Sequence, residues 1–331
     1  MIRAIGRKRN FRGLRPLDVG RDLRGVVTLL EQVFGRGMET ELSEVAHDFQ
    51  LLIYLSPFLW ALERAFPQLG KLLYGYVWVE DGHIVGNVTI TELARQRGFW
   101  VVSNVAVHPN YRRRGIGRAM LEAAIELATM RGGERVILEI ERENLAAQEL
   151  YRSLGFTKVG GIAYLSLAKI GQVSPVSPGA GLCWERLGAG EGQEAYALAK
   201  AAIPLKIQRL RPIRKGQFQI SLLDRMTSWI GNLAAGRDVH RLGLREGTKL
   251  VALLNIYALH SYGGKHQLEL FIHPDYEGRV EETLLEKGLE ALKKYPQKGV
   301  TISLPLSQSE AFKKHGFREV RTLEQSELRL R

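Results

Sequence analysis

The chain has 331 residues, 45% of them apolar, and 47 Lys and Arg against 35 Asp and Glu, for a formal net charge of +12. That length exceeds one ordinary domain and that composition can fill buried cores, which excludes a disordered or fibrous protein and predicts two domains. A single cysteine, Cys183, excludes an internal disulfide, and the histidines lack acidic or cysteine partners at ligand spacing, so no metal is expected.

The first 13 residues are basic without the apolar run of a signal peptide. Residues 19–35 carry Leu23, Val26, Val27, Leu30 and Val33 at helical spacing and end at Gly35, which predicts an amphipathic helix. A second helical region follows at 41–66, broken or kinked at Pro57. The longest apolar stretch, 51–62, is interrupted by Ser56 and Pro57 and is too short to cross a bilayer, so a cytoplasmic protein without a membrane partner is expected. Residues 74–80 and 83–91, joined by Asp81-Gly82, read as a β-hairpin. Residues 100–107 (WVVSNVAV) form a buried strand, and Ala119, Leu121, Ala124, Ile125 and Ala128 recur on one face of the helix that follows. A strand at 135–141, a short helix at 145–154 and a strand at 162–168 complete the first half.

Between the buried strand and its helix lies His108-Pro-Asn-Tyr-Arg-Arg-Arg-Gly-Ile-Gly-Arg-Ala119. Gly115 and Gly117 lack a Cβ, so the backbone can turn sharply and press its N–H groups against an anion. The helix N-terminus adds partial positive charge, and Arg112, Arg113 and Arg114 supply guanidinium groups for phosphate oxygens. A dinucleotide-binding unit also joins strand, glycine turn and helix, but there the glycines follow the strand directly, whereas residues 108–114 intervene here and Met120 replaces the third small residue. A Walker loop fails because no Gly-Lys-Ser/Thr follows.

Arg112-x-x-Gly115-x-Gly117, followed by Glu139, Asn144, Ala147 and Leu150-Tyr151-x-x-x-Gly155-Phe156, resembles the GNAT superfamily of acetyl-CoA-dependent N-acetyltransferases over roughly residues 14–168. The resemblance implies an α+β fold whose central sheet is mixed and mostly antiparallel, flanked by helices. It implies an enzyme that passes an acetyl group from acetyl-CoA, its co-substrate, to a primary amine such as a peptide N-terminus. The strand before the phosphate loop would be splayed from its neighbour, with the backbone of Val105 and Val107 holding the pantetheine arm and the thioester carbonyl. The diphosphate would lie on residues Arg112, Arg113, Arg114, Gly115, Ile116, Gly117, Arg118 and Ala119, and Asn144 would steady the pantetheine or cap the next helix. Tyr151 stands where the family places the general acid for the CoA sulfur. Glu139 matches the general base of protein N-terminal alanine acetyltransferases, and strand alternation puts Glu141 on the same face as a second candidate. The alternative reading is a non-catalytic acyl-CoA sensor or scaffold with an anionic macromolecular partner.

The landmarks repeat. Val107-His-Pro-Asn-Tyr111 recurs as Ile272-His-Pro-Asp-Tyr276, and Leu154-Gly-Phe156 as His315-Gly-Phe317. Residues 171–181 have linker composition, so the expected domains are 1–170 and 182–331, two tandem copies of one fold. The second copy reads Glu277-Gly-Arg-Val-Glu-Glu-Thr283 where the first has its arginine and glycine loop, and Phe312 stands for Tyr151. It is expected to keep the fold without binding CoA. Lys206, Arg209, Arg211, Arg214 and Lys215 form a run without acids, read either as attraction to an anionic partner or as a solvated helix end near Pro212. No nucleic-acid motif accompanies it, so nucleic acid is not an expected partner. The identity of the amine acceptor is not encoded in these motifs, which serve the shared chemistry.

Overall fold

The computed structural model of the chain describes residues 11–34, 74–93, 97–173, 177–188, 190–210, 212–218, 236–260 and 264–330, and the helical region expected at 41–66 lies outside them. The chain gathers into two compact units whose segments interleave: the first takes residues 1–139, 146–157 and 326–331, the second 140–145 and 158–325. The units therefore do not divide along the chain at 171–181. Residues 158–170 go to the second unit, and the last residues, 326–331, return to the first.

In the first unit β1 (Gly13–Pro16), β2 (Tyr74–Glu80), β3 (His83–Glu92), β4 (Phe99–Val107) and β5 (Arg135–Glu141) lie side by side in chain order. The β2–β3 turn forms because Asp81 and Gly82 both take positive φ (49° and 80°), the conformation a two-residue hairpin requires. The helix α1 (Val19–Phe34) lays Val26, Leu29 and Leu30 against Val77, Val79 and Ala106. The helix α2 (Ile116–Met130) buries Ile116, Met120, Leu121, Ala124 and Ala128; of the expected stripe Leu121, Ala124 and Ala128 are buried, while Ala119 and Ile125 are half-buried and Ile116 and Met120 take the inner face instead. Its first turns come down close on β3 because Gly86 has no side chain; a Cβ there would lie 3.0 Å from Met120. The short helix α3 (Leu145–Ser153) buries Tyr151. Beside β5 runs the end of the last strand, β12 (Arg318–Arg329), where Leu330 N–H donates to the Glu134 carbonyl at 2.9 Å and Arg135 pairs with the buried Glu327.

The second unit orders its strands β12, β6 (Thr157–Leu167), β11 (Val300–Pro305), β10 (His266–Ile272), β9 (Lys249–Leu259), β8 (Arg237–Glu246) and β7 (Leu182–Arg186). Its core joins Leu254, Leu268, Leu284, Leu285, Val300 and Ile302, the last strand residues packed under α6 (Glu281–Leu292). Ahead of it lie α4 (Gly192–Ala202) and α5 (Leu205–Leu210), and α7 (Ser309–Lys313) precedes β12. Lys206, on α5, and Arg214 and Lys215, near a 3-10 turn, are exposed.

Three strands escape sequence patterning. The short β1 carries no alternation, and β8 scatters charges through its ten residues. β12 is almost wholly polar, yet Thr322, Glu324, Gln325 and Glu327 are buried. Partners explain part of it: Glu324 accepts from Lys158 Nζ at 2.6 Å and Arg142 Nε at 3.1 Å, so a strand that reads as surface is held inside by ion pairs.

Candidate functional site

The sheet of the first unit opens at one place. β4 and β5 are parallel, and their ladder runs from Phe99 opposite Arg135 only to Val101 opposite Ile137. Beyond it, residues 102–107 of β4 continue against β3 alone. A bulge lies in this stretch: Asn87 of β3 faces Ala106 and Thr89 faces Ser103, so the single residue Val88 spans both Asn104 and Val105. Asn104 takes a positive φ of 52°. Its carbonyl accepts from Asn87 Nδ2 at 2.9 Å, and its own amide donates to Thr89 Oγ1 at 3.2 Å. Val105 and Val107, the residues expected to offer backbone groups, sit half-buried in this freed segment.

At the end of β4 the chain turns over a 3-10 turn at Pro109–Tyr111, capped by His108 Nδ1, which accepts from Asn110 N–H at 3.3 Å. Arg113 (φ 65°) and Gly115 (φ 76°) then make two left-handed turns that bring the chain into α2. Glycine at the N-cap provides no side-chain acceptor, so no capping side chain takes up the first-turn amides of α2. The three arginines are exposed. Arg112 Nε donates to the Val107 carbonyl at 3.2 Å, Arg114 donates to the Asn110 carbonyl at 3.0 Å and lies over the Tyr111 ring, and Arg113 makes no bond among the described residues.

Helix α3 docks on that first turn. Arg118 Nη2 donates to Ser153 Oγ at 2.6 Å, and a Cβ at Gly117 would rest 3.4 Å from Leu150. Tyr151 is 7% exposed, its ring 5.8 Å from that of Phe156, and among the described residues its hydroxyl makes no hydrogen bond. Burial pushes its pKa up to about 12, so the phenol keeps its proton throughout the physiological range. Glu139 is half-buried on β5. Glu141, two residues on, belongs to the second unit, where Arg321 holds it at 2.9 Å. Asn144 also falls in that segment, one residue before α3.

The second unit repeats the loop and closes it. His273 Nδ1 accepts from Asp275 N–H at 3.3 Å, just as His108 does for Asn110, and Gly278 (φ 78°) adopts the left-handed turn of Arg113. Val280 at the Gly115 position is extended toward negative φ (−123°). The buried Glu281 carboxylate then accepts from Gly278 N–H at 2.6 Å and Val280 N–H at 3.1 Å. The loop amides of Gly278 and Val280, at the Arg113 and Gly115 positions, are here satisfied by the protein's own carboxylate. Its strand β10 also pairs with β9 in unbroken register from Gln267 to Ile272, with no bulge. Near this loop Glu282, Glu286 and His315 bring donor atoms within 4.8 Å of one another, His315 and Glu282 already pairing at 3.3 Å.

Asn87 and Asn104 went unremarked in the sequence. The available signal was an asparagine inside a β-branched run, since Asn tolerates positive φ far better than its neighbours do.

Residues 40–156 match the model of the Acetyltransferase (GNAT) family. The chain is 33% identical over 114 residues to the [ribosomal protein bS18]-alanine N-acetyltransferase of Salmonella typhimurium, a match covering 31% of this chain and 74% of that protein. It is 44% identical over 80 residues to the N-alpha-acetyltransferase RimI of Mycobacterium tuberculosis, covering 24% of this chain and 49% of that one. Among solved structures, a GCN5-related N-acetyltransferase from Sphaerobacter thermophilus is similar in fold, with a TM-score of 0.63 at 15% identity over 96% of both chains.

Proposed function

Since this chain belongs to the GNAT family of acetyltransferases, we propose that its first unit transfers an acetyl group from acetyl-CoA to a primary amine, with a peptide N-terminus as the acceptor class. The observation that carries the reading is the coincidence, at one end of β4, of an opened β4–β5 ladder and an uncapped helix N-terminus. The first offers backbone groups to an extended amide-bearing arm, the second offers amides to a diphosphate. The name of the Salmonella relative, an alanine N-acetyltransferase, supports alanine as acceptor, and that of the Mycobacterium relative, an N-alpha-acetyltransferase, supports an α-amine.

Acetyl-CoA supplies the activated acyl thioester. In the proposed mechanism the first-turn amides of Ile116, Gly117 and Arg118, preceded by Gly115, bind the diphosphate, with Arg112, Arg113 and Arg114 screening its charge; Ala119, whose N–H donates to the Gly115 carbonyl at 3.0 Å, lines the turn without offering its amide. The backbone groups of Val105 and Val107 orient the pantetheine arm and polarise the carbonyl, a preorganised contact worth about 3 to 4 kcal/mol of barrier. Glu139 draws the proton from the attacking ammonium, through water, so that the free amine lone pair forms the new C–N bond. As the C–S bond breaks, Tyr151 gives its hydroxyl proton to the sulfur, and the second proton shed by the acylated nitrogen restores the phenol. A phenol near 12 holds that proton until thiolate charge develops, and burial that disfavours phenolate disfavours a bare thiolate beside it too.

The test is titration calorimetry with acetyl-CoA followed by a transfer assay on peptides beginning with alanine. Micromolar binding and N-terminal acetylation are expected. Absence of acetyl-CoA binding refutes the reading, and binding with no transfer to any amine supports the non-catalytic acyl-CoA binder instead.

A further inference from the structure

We infer that Asn87 is a positioning residue that holds the β4 bulge open for acyl transfer, an inference that rests on the function proposed above. Left-handed backbone at Asn104 takes that residue's carbonyl out of step with β3. A carbonyl so displaced needs a donor, and Asn87 Nδ2 supplies it at 2.9 Å. Asn87 is fully buried, and its Oδ1 has no partner among the described residues. Burying an amide with one end unsatisfied is unfavourable, so the core gains nothing from this side chain except the bond its other end makes.

The second unit provides the control. His108 N–H donates to the Val85 carbonyl, and His273 N–H donates to that of Val251, so Asn87 corresponds to Leu253. Leu253 is equally buried, faces Phe271 as Asn87 faces Ala106, and stands beside a strand with no bulge. Where β10 runs straight there is no displaced carbonyl, and an apolar side chain suffices. At the Asn87 position the amide accompanies the bulge in one unit and both are missing in the other; the buried amide that β9 does carry, Asn255, lies two residues further on and donates to the Glu269 side chain at 2.8 Å rather than to a backbone carbonyl. Ser103 and Thr89 complete the clamp: Thr89 Oγ1 bonds the Ser103 carbonyl at 3.0 Å and lies 2.8 Å from its hydroxyl. Bulge residues Asn104 and Val105 precede Ala106 and Val107, so the clamp sets the aim of the backbone groups assigned to the thioester.

Asn87→Leu installs the second unit's residue in the first. The expected result is acetyl-CoA affinity within about threefold of wild type, because the α2 amides are untouched, with kcat toward an alanine-initiated peptide lowered about tenfold or more. A crystal structure of the variant should show Asn104 out of the positive-φ region. Retention of kcat, or an unchanged positive φ at Asn104, overturns the inference. Exposed Asn104 carries the same test outside the core: Asn104→Val, whose β-branch opposes positive φ, should lose kcat as the leucine variant does, and Asn104→Gly should keep it. Equal activity of those two variants also overturns it. Failure of the function proposed above is read separately, from wild-type protein that does not bind acetyl-CoA, whereas the φ of Asn104 in Asn87→Leu reports on the clamp alone.

Discussion

Tyr151→Phe separates chemistry from scaffolding at a single oxygen. The ring stays against Phe156, 5.8 Å away, and the lost hydroxyl makes no hydrogen bond among the described residues, so folding stability near neutral pH should change by no more than about 0.5 to 1 kcal/mol. Turnover should fall by about 10² or more if the phenol protonates the leaving sulfur. Affinity for acetyl-CoA should scarcely move. The raised pKa gives a second signature. An unfolded phenol ionises near 10 and the folded one near 12, so the native state favours the protonated form. That stabilisation is whole below pH 10 and is lost as pH climbs through 12, a span of about two units and therefore about 3 kcal/mol for a group this buried. Urea unfolding at pH 8 and at successive steps toward pH 12 reads this directly, and the phenylalanine variant should lose Tyr151's share of the slope while Tyr257, also raised to about 12, keeps its own. Unchanged turnover refutes the assignment of the acid. A large loss of stability at neutral pH would instead mark Tyr151 as a packing residue whose effect on rate is indirect.

The two carboxylates of β5 should part company in the same assay: Glu139→Gln is expected to lower turnover about a hundredfold, while Glu141→Gln breaks the Arg321 pair and leaves turnover within a few fold. Deleting residues 326–331 should destabilise the first unit, since it removes Leu330 from Glu134 and the buried Glu327 from Arg135 and leaves β5 with an open edge; a lowered melting temperature and faster proteolysis between residues 135 and 157 would register it. Glu281→Ala strips the acceptor from two loop amides and should cost about 2 kcal/mol or more in chemical denaturation, with acetyl transfer by the first unit unaffected.

Local patterning went far in this chain where burial is one-sided and apolar. The hairpin around Asp81-Gly82, the existence of β4, buried on one face at Trp100, Val102 and Ala106, and the helix α2 are each written in consecutive residues, because turn chemistry and amphipathic period are properties of short windows. So is the loop at 112–119, whose glycines and arginines raise the expectation of an anion before any fold is known. β12 carries no such mark. Its interior is polar, and partners distant in sequence, Arg142, Lys158 and Arg135 among them, make its burial tolerable.

By itself the sequence determined the family and the repeated His-Pro-Asn/Asp-Tyr landmark, since these depend on spacing along one chain. Tertiary structure alone decided that the units exchange chain segments, that β4 bulges at Asn104 over a buried amide, and that Glu281 closes the second loop from within. Each of those outcomes turns on a polar group finding its partner across space, and hydrogen-bond satisfaction between strands far apart in the chain leaves no periodic trace in either of them.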